Sequence, residues 1–439
     1  MSASRLKSFN YAVGMFGTSI PINMLKTYAA YFYVDMMGLT TKNVATILFI
    51  YTFIDAIDNP VYGFFSDRTR TRWGRRRPWL VVSTPLMVLG LVFFYNPPAD
   101  MPLTALFYYA AVFYIFTGTL DSMVNANYGA LFPELFTTDA SRAVTNALRQ
   151  AFQLLAMIIS VALTPMVAGA LGYGNTSIVY GFLGGAVILY MALTSREVPV
   201  REEDEKPELW HSIKSLFINR KFWIAGLANA FYSAAMSLVL ASVPFFVKYA
   251  LELPDSQATF LLAPVLIVAA GCVFIWAALV RKFSVIPVWR AALATLGAAF
   301  VALYFARCFT SALICSVLVG FGFSGVIATM DLIGAKIMDE DKAKYRLRRE
   351  GIIASALGFM NRLNGLFVSL AFLLVNVLYG FESGEVPGSQ PGSASRFLLT
   401  LFPMLLMAIS LAFSFFINFK KEKAEGQDSP AAAAGGTGR

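Results

Sequence analysis

The sequence predicts an all-α integral membrane protein: twelve transmembrane helices in two six-helix bundles, with both termini cytoplasmic. Three observations carry that prediction. Of 439 residues, 57% are hydrophobic and only 14% charged, with a mean hydropathy of +0.63; a soluble domain has too little interior to hide so much apolar surface. Apolar stretches long enough to cross a bilayer as helices, about 17–25 residues each, recur along most of the chain. Lys and Arg gather in alternate loops, so the positive-inside rule places both ends on the cytoplasmic side and requires an even number of spans.

In chain order the expected spans are 9–34, 43–65, 79–95, 103–121, 143–171, 177–194, 222–247, 258–280, 286–306, 309–338, 352–379 and 397–418. The first is too long for a cleaved signal peptide and has no small-residue cleavage site. Six arginines stand in the ten residues from Arg68 to Arg77, behind the second span, and fix that end as cytoplasmic. Arg142, Arg281–Lys282, Lys342–Arg349 and Lys420–Lys423 mark further cytoplasmic loops, whereas the 3–4, 5–6 and 11–12 loops hold almost no basic residues. The longest polar interval, 195–221, divides residues 1–194 from 222–420. Within it Leu209, Ile213, Leu216 and Phe217 recur at helical spacing, which suggests an interfacial helix or a plain solvated linker helix. Residues 421–439 have the composition of a disordered tail. A weak echo supports duplication. Gly129-Ala130 precedes Pro133-Glu134 and a basic loop, and Gly334-Ala335 precedes Asp339-Glu340-Asp341 and another. Two related six-helix halves are a carrier architecture, with the solute bound near midplane between them.

Polar residues at membrane depth are expensive and point to function: a charge at the helix centre costs roughly 3 kcal/mol even on lenient insertion scales. The first span carries Asn23 and Lys26. The second carries Asp55, Asp58 and Asn59 on one helical face. Asp121, Ser122 and Asn125 end the fourth span, Arg149 begins the fifth, Asp331 and Lys336 lie in the tenth, and Arg362 lies in the eleventh. A small cation prefers a cage of oxygens, which Asp55, Asp58, Asn59 and Ser122 supply if the second and fourth spans are neighbours. The same carboxylates could instead carry a proton, so the coupling ion is Na+ (metal ligands Asp55 and Asp58) or H+. The plain alternative is a set of structural salt bridges to Lys26, Arg149 or Arg362. Asp67, Arg72, Gly74 and Arg75 read as a tight loop that locks cytoplasmic ends together, or as topology signal alone.

The net charge of +9 belongs to loops beside anionic lipid headgroups, and no nucleic-acid motif accompanies it. Three cysteines without metal-ligand or disulfide-like spacing and a single histidine, His211, argue against a metal centre or a histidine-based active site. No nucleophile–base pair or nucleotide loop stands out, so an enzyme is not expected. No cofactor is expected beyond the coupling ion. The expected partners are a small-molecule substrate, that cation and membrane lipids, with the protein working as a monomer in the cell membrane.

At Asp55-Ala-Ile-Asp58-Asn59-Pro60 with Gly63, then Thr71-Arg72-Trp73-Gly74-Arg75 and Pro78-Trp79, the chain resembles the glycoside–pentoside–hexuronide cation symporters. These are the melibiose-permease branch of the major facilitator superfamily. Arg349-Glu350-Gly351 followed by Arg362, Tyr31 to Asp35 with Gly38-Leu39, and Asn219 to Phe222 are similar to further segments of that family. The resemblance implies the fold of that superfamily and a cation site at Asp55, Asp58, Asn59 and Ser122. It also implies a substrate site that includes Arg149 and Arg362. Aligned through Asp35 and Pro133, Ser19 and Asn125 fall where melibiose permease has aspartates that grip the galactoside, and Lys26 falls where a tyrosine is typical. The family usually has Asn-Asp where this chain has Asp58-Asn59, which moves the second carboxylate about 100° around the helix. The site residues expected to meet substrate are therefore Ser19, Asn23, Lys26, Asp121, Asn125, Arg149 and Arg362. Fewer carboxylates and an added lysine suit an anionic or zwitterionic solute. The resemblance implies a symporter of a sugar, glycoside or hexuronide-like solute; a carrier of a lysolipid-like zwitterion and a non-transporting sensor of the same fold remain as alternatives.

Overall fold

A computed structural model describes residues 3–69, 71–136, 139–195, 220–345 and 360–417. Among the described residues the protein is helical throughout, with one isolated β-bridge between Thr71 and Gly74 and no strand. Twelve long helices follow one another: α1 (Ala3–Tyr31), α2 (Thr41–Arg68), α3 (Arg77–Phe94), α4 (Leu103–Leu135), α5 (Asp139–Met157), α6 (Thr164–Thr194), α7 (Arg220–Tyr249), α8 (Ala258–Phe283), α9 (Val285–Tyr304), α10 (Phe309–Tyr345), α11 (Asn364–Tyr379) and α12 (Pro391–Phe415). π-helical turns extend α1 over Phe32–Met36 and α5 over Ile158–Ala162, and a third interrupts α12 at Phe397–Leu401.

Ten of these helices are long and apolar enough to cross a membrane. The other two, α1 and α2, have the length, at 29 and 28 residues. They hold the lysine and the paired aspartates of the second span, which lower their hydropathy. The 195–221 linker (apart from its two ends), the Arg349-Glu350-Gly351 segment and the C-terminal tail lie outside the described residues.

Several expected ends move. The fourth span was expected to stop at 121, yet α4 continues to Leu135, 33 residues in all, or about 50 Å at 1.5 Å per residue. Asn125 and Asn127 carry the helix on because their amides turn back onto the backbone. Asn125 Nδ2 donates to the Asp121 carbonyl at 3.1 Å and Asn127 Nδ2 to that of Met123 at 2.8 Å. Hydropathy falls there while the helix does not. Similarly, α10 runs beyond 338 to Tyr345. Between the expected fifth and sixth spans the chain breaks at Gly172, whose φ of 80° and ψ of 156° only glycine adopts without strain.

The six helices on either side of the linker pair in the same pattern. In the first set α1 packs on α5 and α6, α2 on α4, and α3 on α4 and α6; in the second, α7 packs on α11 and α12, α8 on α10, and α9 on α10 and α12. Side chains repeat the correspondence. Arg77, opening α3, donates to the carbonyls of Ala192 (2.7 Å) and Leu193 (3.0 Å) at the end of α6. Arg290, in the second turn of α9, donates to those of Ser414 (3.1 Å) and Ile417 (2.8 Å) at and just beyond the end of α12. Each guanidinium thus meets the negative end of a helix dipole and its orphan carbonyls. Likewise Lys7 of α1 donates to Leu135 O on α4 at 2.9 Å, and Lys221 of α7 pairs with Glu340 on α10 at 2.7 Å.

The two sets meet through α1 on α7, α2 on α11, and the π turn of α5 on α8. Hydrogen bonds across this seam cluster at the end where α1 and α7 finish, here called the far end. Gly384 N donates to Val34 O at 2.8 Å, Thr41 N to Glu382 O at 2.6 Å, Thr41 Oγ1 to Phe381 O at 2.9 Å, and Ser369 Oγ to Ala45 O at 2.6 Å. Asp35 takes an ion pair from Lys248 at 2.5 Å and a hydrogen bond from Tyr249.

Within the first set, the α2–α4 crossing depends on Gly118. A Cβ there would overlap the phenol of Tyr51, which is buried, hydrogen-bonded to Asp55 and packed edge-on against Tyr114. Gly118→Ala gains helix propensity of about 1 kcal/mol, but overpacking of this kind costs about 1–3 kcal/mol. A lower melting temperature in detergent is expected; an unchanged or raised one would refute the crossing geometry.

Candidate functional site

The paired carboxylates of α2 lie at the middle of the molecule. Asp55 sits midway along α2 and is only 6% exposed. One turn earlier on the same face, Tyr51 donates its hydroxyl to Asp55 Oδ1 at 3.3 Å. From α4, Ser122 Oγ donates to the same oxygen at 2.8 Å. Arg362, at the entry to α11, comes from the other six helices. Its Nη1 forms an ion pair with Asp55 Oδ1, donates to the Asp55 carbonyl at 2.7 Å, and lies 3.3 Å from Ser122 Oγ. Asp55 therefore holds side chains from three helices, one of them across the seam. This is the salt bridge that the plain sequence reading offered, placed where the cation site was expected.

Asp58, three residues on, is 9% exposed, and its Oδ2 has no hydrogen-bond partner. It feels the charges of both Asp55 and Arg362. The side chain of Asn59 lies outside the described residues. Among the described residues no group of three or more His, Cys, Asp or Glu could hold a metal ion, so an ion here would rely on the two aspartates with Ser122 and uncharged oxygens.

Beside this pair, α1 and α4 face one another with polar stripes. Ser19, Asn23 and Lys26 fall at i, i+4 and i+7 of α1, one face of the helix. Ser19 is buried, Asn23 is half-buried with its Nδ2 unpartnered, and Lys26 is exposed. Across from them Asp121 is buried and takes Asn125 Nδ2 on Oδ1 at 2.7 Å. Asp121 lies within electrostatic reach of Lys26, Asp55 and Arg362. The structure thus brings together Asp55, Asp58, Ser122, Lys26, Asp121, Asn125 and Arg362.

It does not bring Arg149 into that group. The guanidinium of Arg149 lies over three rings, 5.8 Å from Tyr11, 5.0 Å from Tyr128 and 5.1 Å from Phe132. Tyr11 and Tyr128 stack at 4.6 Å and exchange hydroxyl-to-carbonyl hydrogen bonds. The expected substrate arginine is thus held in an aromatic cage between α1, α4 and α5, about 10 Å along α4 from Asp121 at 1.5 Å per residue. Cation–π attraction to desolvated rings accounts for its position.

The loop after α2 is tight, as its glycine suggests. Gly74 has a φ of 107°, its N–H donates to Thr71 O at 3.1 Å, and Thr71 Oγ1 donates to Gly74 O at 2.8 Å. Arg72 lies over the ring of Trp73, Arg75 is half-buried, and Arg76 reaches Ser66. The side chains of Asp67 and Asp331 lie outside the described residues. Gly63 lies within α2, so the loop turns on Gly74 alone.

Sequence reasoning missed Tyr51, the aromatic cage and the Asp35–Lys248–Tyr249 cluster. Tyr51 had a usable signal, a polar group at i−4 of Asp55. The other two had none, because each closes across distant segments, with Tyr11 117 residues from Tyr128 and Asp35 214 residues from Tyr249.

Among the described residues, a helical body with a cross-seam charge pair and polar helix faces beside it fits a membrane carrier of small solutes. A family model described as MFS/sugar transport protein matches residues 10–421, and the chain belongs to that family, among the glycoside–pentoside–hexuronide type of symporter. It is 28% identical over 253 residues to the isoprimeverose transporter of Lactiplantibacillus pentosus (55% of this chain, 52% of that one). It is 25% identical over 263 residues to the inner membrane symporter YicJ of Escherichia coli (58% and 56%). The chain spans about half the length of these relatives. A candidate 2,3-dihydroxypropane-1-sulfonate exporter of Salmonella typhimurium is 24% identical over 435 residues, 94% of this chain and 92% of that one. In structure it resembles an inward-facing, unoccupied bacterial homologue of the human lysosomal transporter Spinster (TM-score 0.69, 15% identity, 95% and 97% covered). It also resembles the nucleoside transporter NupG (TM-score 0.70, 10% identity, 93% and 98% covered). These two share the fold.

Proposed function

We propose that the protein is a cation-coupled symporter of a sugar, glycoside or hexuronide-like solute, driven by Na+ or H+ and working by alternating access. Asp55, Asp58, Asn59 and Ser122 form the cation site, and Ser19, Asn23, Lys26, Asp121 and Asn125 face the solute. The repeated helix pairing supports two six-helix halves, 1–194 and 222–420, joined by 195–221 and ending in the 421–439 tail. The same proposal includes twelve spans, both termini on the cytoplasmic side of the cell membrane, and the monomer as the working unit.

One observation carries the coupling: the carboxylate of Asp55 receives its counter-charge from Arg362 of the opposite half. A carboxylate at this depth needs a positive partner. When the coupling ion occupies Asp55 and Asp58, Arg362 is released and the midplane tie between α2 and α11 opens. When the ion leaves, Arg362 returns. Ion occupancy and the position of the halves are then one equilibrium, which is what symport by rocking halves requires. The far-end hydrogen bonds describe the state closed on that side, with the solute face reached from the cytoplasm.

Uptake into proteoliposomes, with sodium and proton gradients imposed separately and isoprimeverose and methyl β-glucuronide as probes, tests this. Accumulation above equilibrium under one gradient is expected. Equilibration alone under both would reject coupling, and absence of counterflow would reject transport altogether.

A further inference from the structure

We propose that Lys26, with Asn23 one turn behind it, is an anion-binding subsite, and that the solute is a sugar-like molecule bearing a carboxylate or sulfonate. The inference rests on the transport reading above.

The position of Lys26 is unusual for a lysine. It lies well inside α1, five residues before Tyr31, where the helix continues into its π turn. Its neighbours Met24, Leu25, Thr27 and Tyr28 are all buried, whereas Lys26 is exposed. An ammonium at membrane depth is tolerated where it meets water or a counter-charge. Its nearness to buried Asp121 places it on the side of α1 that faces α4, so it does not escape along the lipid surface. Yet Asp121 does not consume it. Asp121 Oδ1 is taken by Asn125 at 2.7 Å, and no ion pair joins Lys26 to Asp121 among the described residues. The ammonium keeps donors for another acceptor.

Asn23 adds the second observation. Its Nδ2 is buried without a hydrogen-bond partner, which native interiors avoid because an unsatisfied buried donor is costly. It lies at i−3 from Lys26, so both donors project from one face. Two convergent donors, one of them charged, suit an oxyanion: a hydroxyl would satisfy the amide but leave the ammonium without a counter-charge.

Thermal unfolding of the purified full-length protein in detergent tests this without any ion gradient or membrane. The probes are methyl β-glucuronide, its 6-sulfonated glucoside analogue and neutral methyl β-glucoside, titrated against the wild type, Lys26→Gln and Lys26→Arg. The wild type should bind at least one acid tenfold or more tighter than the neutral glucoside. Lys26→Gln should reduce that preference to threefold or less, and Lys26→Arg should keep most of it. The ratio between the two acids separates carboxylate from sulfonate. No acid preference in the wild type, or a preference that survives Lys26→Gln, overturns the proposal. Charge-selective binding without gradient-driven uptake would overturn the symport reading alone.

Discussion

Asp55→Asn is expected to abolish accumulation against a gradient, reducing cation-driven uptake at least tenfold, while the protein still reaches the membrane. The amide cannot neutralise a bound cation or release a proton, and it no longer draws Arg362 across the seam. The substitution also strands a half-buried guanidinium, and removing one partner of a fully buried pair costs about 3–5 kcal/mol, which sets the upper bound here. Lost activity could then reflect lost fold. The double variant Asp55→Asn/Arg362→Gln separates the two effects, because it removes the pair without leaving a lone charge. It should recover most of the melting temperature lost by the single variant and none of the coupled uptake, while solute counterflow persists. Undiminished accumulation in the single variant, under an imposed sodium or proton gradient, would exclude Asp55 as the coupling group.

The second large effect is expected at the far-end seam. Gly384 lies flat against Asp35, where an added Cβ would overlap the Asp35 backbone, and its N–H bonds to Val34 O at 2.8 Å. Backbone on both sides leaves no flexible side chain to yield. Gly384→Val should therefore hold the far end apart and strip Asp35 of its contacts with Lys248 and Tyr249, slowing uptake by tenfold or more. A single-cysteine background, with Cys272, Cys308 and Cys315 replaced, reports the state directly. A cysteine placed at Lys26 should react with an impermeant thiol reagent from the outside slowly in the parent, and severalfold faster when Gly384→Val is added. Equal outside labelling with and without Gly384→Val would show that this contact does not close the far end.

Both expectations rest on contacts between residues remote in sequence, and this separates what each level of description could reach. Membrane residence, the approximate spans and the importance of Asp55 and Asp58 were legible in the chain because they are local. Runs of apolar residues, clustered arginines and a carboxylate inside an apolar run are each visible within about 20 residues, the length of one span. Span ends were legible only where hydropathy and helix ended together. They parted at Asn125 and Asn127, whose amides bond within their own helix and let α4 run on through polar sequence.

The partners of those residues belong to tertiary structure. Arg362 is 307 residues from Asp55, and nothing in spacing distinguishes it from Lys26 or Arg149 as the counter-ion. Packing assigns each cation differently: Arg362 to Asp55 across the seam, Arg149 to an aromatic cage, Lys26 to an open face near Asp121. The sequence by itself determined a helical membrane protein with costly charges at its middle, because the bilayer acts on each segment separately. Which charges meet was decided by the fold, because an ion pair is set by the packing of helices far apart in the chain.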